Sequence, residues 1–183
     1  MKDALTDPDL GKAWLETLEH QRRLSGHTLA NYSRAVDVLF KLKDKIDLRD
    51  LDTQQIRRFV ARLHGAGLSG RTLALTLSAW RGLYRWLVRQ RGFAANPAKG
   101  VRAPKAAKTL PKALSVEQAQ RLLDDATAPD TPAAARDRAM FELLYSSGLR
   151  LGELVALDAG AGGLDLRQGE VTVTGKGRKT RSV

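Results

Sequence analysis

The sequence predicts a mainly α-helical protein built in two parts. Apolar residues recur three or four positions apart through most of residues 1–92, which is the spacing of amphipathic helices. A basic, proline-containing segment follows and separates these helices from the rest of the chain. Alternation typical of a β-strand begins only at Glu170, so the second part is expected to be α+β.

Composition and charge restrict the class of protein. The 183 residues, 43% of them apolar, are enough for one large or two small folded domains. A net charge of +11 favours a polyanionic partner, because each neutralised phosphate releases counterions; an anionic membrane surface is the alternative. No apolar run approaches the roughly 20 residues of a membrane span, and the N-terminus lacks a signal peptide's apolar stretch. Since cysteine is also absent, we expect no disulfide or thiolate metal site, and a cytoplasmic protein.

Four amphipathic helices are predicted in residues 1–92, and together they can bury one core. Ser25 or Gly26, Thr53 and Ser69 are the predicted N-caps of the second, third and fourth helices. The predicted inward-facing residues, in chain order, are Leu10, Trp14, Leu15 and Leu18; Leu29, Tyr32, Val36, Leu39 and Phe40; Ile56, Phe59, Val60 and Leu63; and Leu73, Leu77, Trp80, Tyr84 and Leu87.

Residues 93–114 are predicted to be an interdomain linker. The segment has three prolines and no acidic residue, a composition that keeps a chain extended and attracts a polyanion. A solvated hinge with no contact role is the alternative. The segment's cations are Lys99, Arg102, Lys105, Lys108 and Lys112.

The second part, residues 115–183, begins with helices. Ser115 and Gln118 have the spacing of a capping box. A later helix runs up to Tyr145, and Gly148 is its predicted left-handed C-cap. A loop is expected over 158–163.

A β-hairpin is predicted at the end of the chain. The strand 170–174 turns at 175–177, and 181–183 begins the return strand. Because a lone hairpin is marginal, it is expected to need further partners.

Two cations are placed to meet phosphate. Arg150 lies two residues after Gly148, the predicted helix stop, and its guanidinium could donate two hydrogen bonds to two oxygens of one phosphate. Lys176 lies between two glycines at the hairpin tip, where its ammonium could protonate a leaving oxygen in phosphoryl transfer. The alternatives are a surface arginine paired with Glu153 and a solvated turn lysine.

These segments together resemble a tyrosine recombinase of the phage integrase family, of the XerC and XerD type. Their order and spacing are more specific than any one of them. The matching segments are Ser-Gly-Leu-Arg-Leu-Gly-Glu-Leu at 147–154, Gly-Lys-Gly-Arg-Lys-Thr-Arg at 175–181, Ser-Gly-His-Thr-Leu-Ala-Asn-Tyr at 25–32, the fourth-helix residues 71–73 and 77–87, and the linker residues 96–98, 103–105 and 110–115.

The resemblance implies a four-helix SAM-like core-binding domain that clamps DNA over 1–92, the linker over 93–114, and the incomplete start of an α+β catalytic domain over 115–183. It implies site-specific recombination through a 3′-phosphotyrosine intermediate, in Xer proteins for chromosome dimer resolution and segregation at cell division. No metal or nucleotide cofactor is implied. The implied partners are a double-stranded DNA recombination site and, for the full-length protein, a second recombinase subunit in a tetrameric synapse.

The resemblance also implies residue roles. Arg150 matches the catalytic arginine that stabilises charge on the scissile phosphate, and Lys176 matches the lysine thought to protonate the departing 5′ oxygen. Glu153 is expected to orient Arg150. The expected DNA contacts are Asn31, Arg34, Arg71, Arg81, Lys105, Lys108, Arg178, Lys179 and Arg181.

The family's histidine-x-x-arginine motif, its further histidine or tryptophan and its nucleophilic tyrosine cannot be assigned here. Residues 20–23 have the letters of that motif but lie in the first helix. Tyr32, Tyr84 and Tyr145 are expected to be core or half-buried. We therefore expect a chain truncated after the hairpin lysine that binds DNA without cleaving it. The alternatives are a non-enzymatic module that occupies recombination sites, a phage or transposon integrase, and an unrelated basic helical protein that binds RNA or a protein.

Overall fold

The computed structural model describes residues 6–105, 110, 112–124, 131–158, 163–175 and 179–183. The chain divides into two compact units, Met1–Thr109 and Leu110–Val183. Helices dominate the described residues, and the strands are few and short, so the predicted mainly α fold class is confirmed.

The first unit contains the four predicted helices, α1 Asp7–His20, α2 Gly26–Lys43, α3 Thr53–Gly65 and α4 Gly70–Arg91. Ser25 and Ser69 precede α2 and α4 as predicted. The prediction for α3 was wrong by one residue, because its N-cap is Asp52. The Asp52 carboxylate accepts from the Gln55 amide at 2.7 Å, and the Gln55 side chain accepts from the Asp52 amide at 2.7 Å. This reciprocal capping box leaves Thr53 as the first helical residue.

One apolar core joins the four helices, and two of its large aromatic side chains, Trp80 and Tyr84, are hydrogen-bonded. The indole N–H of Trp80 donates to the carbonyl of Ala35 at 2.7 Å. The hydroxyl of Tyr84 donates to the carbonyl of Leu48 at 3.0 Å, and burial raises the pKa of that hydroxyl. Because the polar atoms of these two side chains have partners, the core gains aromatic area without leaving either of them unsatisfied.

The first part of the predicted linker packs on the helical unit. Phe93, Ala98 and Val101 are buried in the same core. The guanidinium of Arg81 donates to the carbonyls of Ala98 and Val101, both at 3.2 Å, and the Asn96 amide donates back to the Arg81 carbonyl at 3.0 Å. A basic, proline-rich composition does not predict this packing, because the packing depends on the burial of three apolar side chains in the core of the helical unit. The linker bounds 93–114 stay a prediction.

The second unit contains helices α5 Val116–Leu123, α6 Pro132–Ser147 and α7 Leu151–Val155, and strands β1 Leu164–Asp165, β2 Glu170–Thr174 and β3 Thr180–Ser182. The predicted capping box of Ser115 and Gln118 is confirmed. The strands form an antiparallel sheet in the order β1-β2-β3. The sequence pattern missed β1, which gives the hairpin the additional strand that it needs. Of the predicted loop 158–163, residues 159–162 lie outside the described residues.

A small apolar cluster holds α7 against the sheet. Leu149 and Leu154 are buried with Val171 and Val173, and one face of α6 packs against them. Tyr145 lies outside the packed face of α6 and is 71% exposed, so the prediction that it is core or half-buried was wrong. Position 145 is about 100° around the helix from the packed Leu144 and about 200° from the packed Leu143.

Among the helices that the structure describes, none combines the length and apolarity needed to cross a bilayer.

Candidate phosphate site and nucleic-acid interface

Arg150 stands at the junction of two helices. Gly148 ends α6 with a left-handed φ of 58°, and its amide donates to the carbonyl of Leu144 at 3.1 Å. This confirms the predicted glycine stop, since such a φ strains any residue with a Cβ. Arg150 is then the N-cap of α7. Its side chain is 71% exposed, so its guanidinium faces solvent.

Glu153, three residues later, is the polar centre of the second unit. Its side chain is only 5% exposed, yet its carboxylate accepts four hydrogen bonds. Arg150 donates from its backbone amide at 2.8 Å and from Nη1 at 3.0 Å. Arg181 donates through both terminal nitrogens, at 2.8 and 2.9 Å. A carboxylate has about four acceptor positions, so this one is saturated. The contact fits the expected orienting role of Glu153, which stays a prediction.

The network stabilises the ionised form of Glu153. Hydrogen bonds from Arg181, followed by the Arg150 amide, lower the pKa of the Glu153 carboxyl from its usual 4.5 to about 2. The same pair raises the pKa of Arg181. Two guanidinium groups thus share one carboxylate, so Arg150, Glu153 and Arg181 together carry a net charge of one positive unit. Arg150 is its more exposed member.

Gly175, at the end of β2, lies against this carboxylate. A Cβ on Gly175 would come within 2.9 Å of Oε1 of Glu153 and 3.3 Å of Nη1 of Arg181. Its backbone is not left-handed, so φ does not call for glycine here, but a side chain would force the Glu153 carboxylate to shift. Its amide donates to the carbonyl of Lys179 at 2.8 Å and closes the hairpin. The predicted catalytic Lys176, and Arg178 beside it, lie outside the described residues.

The remaining predicted DNA contacts are distributed over the first unit and the hairpin. Arg34, Arg71, Lys105 and Lys179 are exposed, Asn31 is half-buried, and Lys108 lies outside the described residues. The structure brings Arg181 to Glu153, and it brings Arg81 to the carbonyls of the segment after α4. Contact with DNA stays a prediction for all of them.

A basic cleft of about 670 Å³ lies between α1, the start of α2 and α4. Sequence reasoning did not identify it, although Arg81, Arg85 and Arg89 follow one another at four-residue intervals along α4, which is its sequence signal. No carboxylate is among those lining residues of the cleft that the structure describes. Its arginines are Arg22, Arg81, Arg85, Arg89 and Arg91, and its aromatic residues are Trp14, Tyr32 and Trp86.

Within the described ranges, no three histidine, aspartate or glutamate side chains come together as metal ligands.

Two family profiles match the chain in order. The profile for the phage integrase N-terminal SAM-like domain matches residues 12–91. The profile for the phage integrase family itself matches residues 112–183. The chain belongs to the phage integrase family. The first match covers most of the four helices, and the second contains Arg150, Glu153 and Arg181.

Curated relatives within this family carry the name tyrosine recombinase XerC. The chain is 52% identical to tyrosine recombinase XerC 1 of Ralstonia nicotianae, 48% identical to XerC of Pseudomonas aeruginosa and 44% identical to XerC of Escherichia coli. The alignments cover 96%, 93% and 99% of this chain, but 57%, 56% and 59% of those proteins. The chain therefore spans somewhat more than half the length of these relatives.

Solved structures of the family share the fold. A lambda integrase tetramer bound to a Holliday junction has a TM-score of 0.74 at 17% identity, over 98% of this chain and 51% of that one. The XerH site-specific recombinase bound to palindromic difH substrate, in its post-cleavage complex, has a TM-score of 0.66 at 20% identity, over 98% and 53%. The expected SAM-like domain joined to the start of an integrase catalytic domain is thereby confirmed as the fold.

The three tyrosines have different surroundings, and within the described part of the chain none of their side chains is hydrogen-bonded to Arg150 or Glu153. Tyr84 is buried and its hydroxyl is bonded to Leu48. Tyr32 stacks on Trp14, with ring centroids 5.7 Å apart and planes at 8°. Both belong to the first unit, and neither lies in the unit that contains Arg150. Tyr145 is exposed but projects from the face of α6 that does not pack on α7 and the sheet.

Proposed function

We propose that this protein is a site-specific tyrosine recombinase of the XerC type, which cuts and rejoins DNA and serves chromosome dimer resolution. The observation that carries the proposal is Arg150, an exposed guanidinium at a helix junction whose inner edge is held by a buried carboxylate. That arrangement leaves the outer edge for phosphate oxygens. Identities of 44–52% to XerC proteins support the chemistry.

In the proposed reaction, a tyrosine hydroxyl attacks the scissile phosphate and the bond to the 5′ oxygen breaks. Arg150 stabilises the charge that develops on the phosphate, and Lys176 gives a proton to the departing oxygen. The 3′-phosphotyrosine link retains the phosphodiester energy, so rejoining needs no nucleotide. None of Tyr32, Tyr84 and Tyr145 is proposed as the nucleophile, because the Tyr84 hydroxyl is buried on the Leu48 carbonyl, the Tyr32 ring is stacked on Trp14, and Tyr145 lies outside the packed face of α6.

For the chain itself we propose DNA binding by the first unit. The basic cleft supports this, because the described residues that line it include five arginines and no carboxylate, which creates a local positive potential for phosphates. The proposed partners are a double-stranded recombination site and further recombinase subunits in a synapse, by analogy with a lambda integrase tetramer on a Holliday junction. We propose the cytoplasm as the compartment, since the chromosomal substrate would be there.

Two measurements on the 183-residue chain test this proposal. Its affinity for duplex DNA should fall steeply with salt, by a slope of about −0.9 in log–log form for each phosphate neutralised. A slope near zero would contradict DNA binding. On a nicked recombination site the chain should form no covalent DNA adduct. An adduct mapped to Tyr32, Tyr84 or Tyr145 would overturn the exclusion of these tyrosines.

A further inference from the structure

The terminal nitrogens of Arg181 are bonded within the protein, which disfavours this residue as a phosphate ligand. Both of its terminal nitrogens are bonded to Glu153, and its side chain is 36% exposed against 71% for Arg150. A guanidinium binds one carboxylate or phosphate with a two-pronged edge. Arg181 uses that edge inside the protein. The edge of Arg150 differs, since only its Nη1 is bonded to Glu153, and Nε and Nη2 make no hydrogen bond to any other described residue.

The charges of Arg150, Glu153 and Arg181 indicate what Arg181 contributes to the site. Glu153 and Arg150 alone would form a neutral pair, and the carboxylate would offset the attraction of Arg150 for phosphate. Arg181 supplies the second positive charge, which the carboxylate offsets instead. It also occupies one lone pair on each carboxylate oxygen, which fixes the plane of the carboxylate and hence the direction in which Arg150 is held.

We propose that Arg181 is a positioning residue, which acts through Glu153 to orient Arg150 and leaves the three side chains with a net positive charge for the scissile phosphate. Gly175 contributes to the same arrangement, because any side chain there would displace the Glu153 carboxylate. Besides the hairpin lysine, the segment from Gly175 to Arg181 thus contains two residues, Gly175 and Arg181, that determine the orientation of Arg150. The inference rests on the proposed function of Arg150 as a phosphate ligand.

The first test needs no DNA. In the 183-residue chain, the Nε–Hε resonance of Arg150 should shift in Arg181→Lys, because lysine keeps the charge but cannot fork the carboxylate. Lys179→Met removes a cation from the same hairpin without a Glu153 contact, and it should leave that resonance in place. An unmoved signal in Arg181→Lys, or the same shift in Lys179→Met, overturns the proposal.

A second variant serves if Arg181→Lys does not fold. Gly175→Ala changes no charge, and it should shift the Arg150 resonance because its Cβ meets Oε1 of Glu153. Its matched control is Gly152→Ala in α7, where a Cβ would meet open space. Equal resonances in Gly175→Ala and the wild type would also overturn the proposal.

The third test is a double-mutant cycle for duplex binding. Arg181→Lys should weaken binding about tenfold, the size of one lost charge-assisted hydrogen bond, and should have no further effect in an Arg150→Ala background. Lys179→Met should give the same loss in both backgrounds. Additive losses for Arg181→Lys would identify it as an independent DNA contact and overturn the inference. If the wild-type chain does not bind duplex DNA, the proposed function fails, and the resonance test still decides the positioning.

Discussion

The ring of Trp14 in α1 lies directly against the backbone of Gly82 in α4. A Cβ at position 82 would come within 2.9 Å of the ring carbon Cζ2. The indole also stacks on the ring of Tyr32, and Trp14 is 2% exposed. A Cβ at position 82 would therefore force the buried ring out of its stacked position, and α1 and α4 approach closely because residue 82 has no side chain.

Gly82→Ala should destabilise the helical unit. Overpacking a core costs about 1–3 kcal/mol, which should exceed the gain of at most about 1 kcal/mol from replacing a helical glycine. Urea unfolding followed by tryptophan fluorescence measures the difference. Gly65→Ala at the end of α3 is the control, because a Cβ there meets open space and should leave stability equal or higher. A Gly82→Ala protein as stable as Gly65→Ala would contradict the close packing.

Lys43→Met should be strongly destabilising. The Lys43 ammonium lies 2.6 Å from the Asp7 carboxylate, and the two side chains are 9% and 15% exposed. Removing one partner leaves a poorly solvated charge and costs about 3 kcal/mol. Adding Asp7→Asn should restore part of the loss, so the free energies of unfolding would be non-additive. Arg136→Met, which breaks an exposed pair, should change stability by less than about 0.5 kcal/mol.

The second unit should lose stability in acid through Glu153. Its pKa is about 2 in the folded chain and 4.5 when unperturbed, so the unfolded state binds more protons between these values. The contribution is complete above pH 4.5 and is lost as the pH falls towards 2. Hydrogen exchange of the β2 amides against pH measures it. Glu153→Gln should remove this part of the pH dependence, and an unchanged profile would show that the carboxylate is not held by its arginines.

Charge reversal in the basic cleft should weaken DNA binding more than reversal elsewhere. Arg85→Glu with Arg89→Glu should lower both the affinity and the salt slope, by about 0.9 in slope for each phosphate that the variant no longer neutralises. Arg57→Glu with Arg58→Glu on α3 gives the same net charge from exposed positions outside the cleft. Equal losses of affinity for the two pairs would mean that the cleft is not the DNA-binding surface.

Local sequence determined the elements of this protein with few errors. Helical spacing identified the four helices of the first unit, Gly148 identified the end of α6, and alternation identified β2. These features depend on backbone hydrogen bonds and side-chain periodicity within a few residues. The errors were also local. The cap of α3 moved by one residue because Asp52 forms the better capping box, and β1 has only two residues in which a pattern could show.

Tertiary structure alone decided what the charged residues contact. In the sequence, Arg181 is one of several cations in a basic hairpin, but folding brings it to a carboxylate 28 positions away. The arginines of α4 form a cleft only because α1 and the start of α2 provide its other walls. An arginine has the same charge whether it binds a carboxylate, a backbone carbonyl or a phosphate, and only packing determines which of these lies within hydrogen-bond distance.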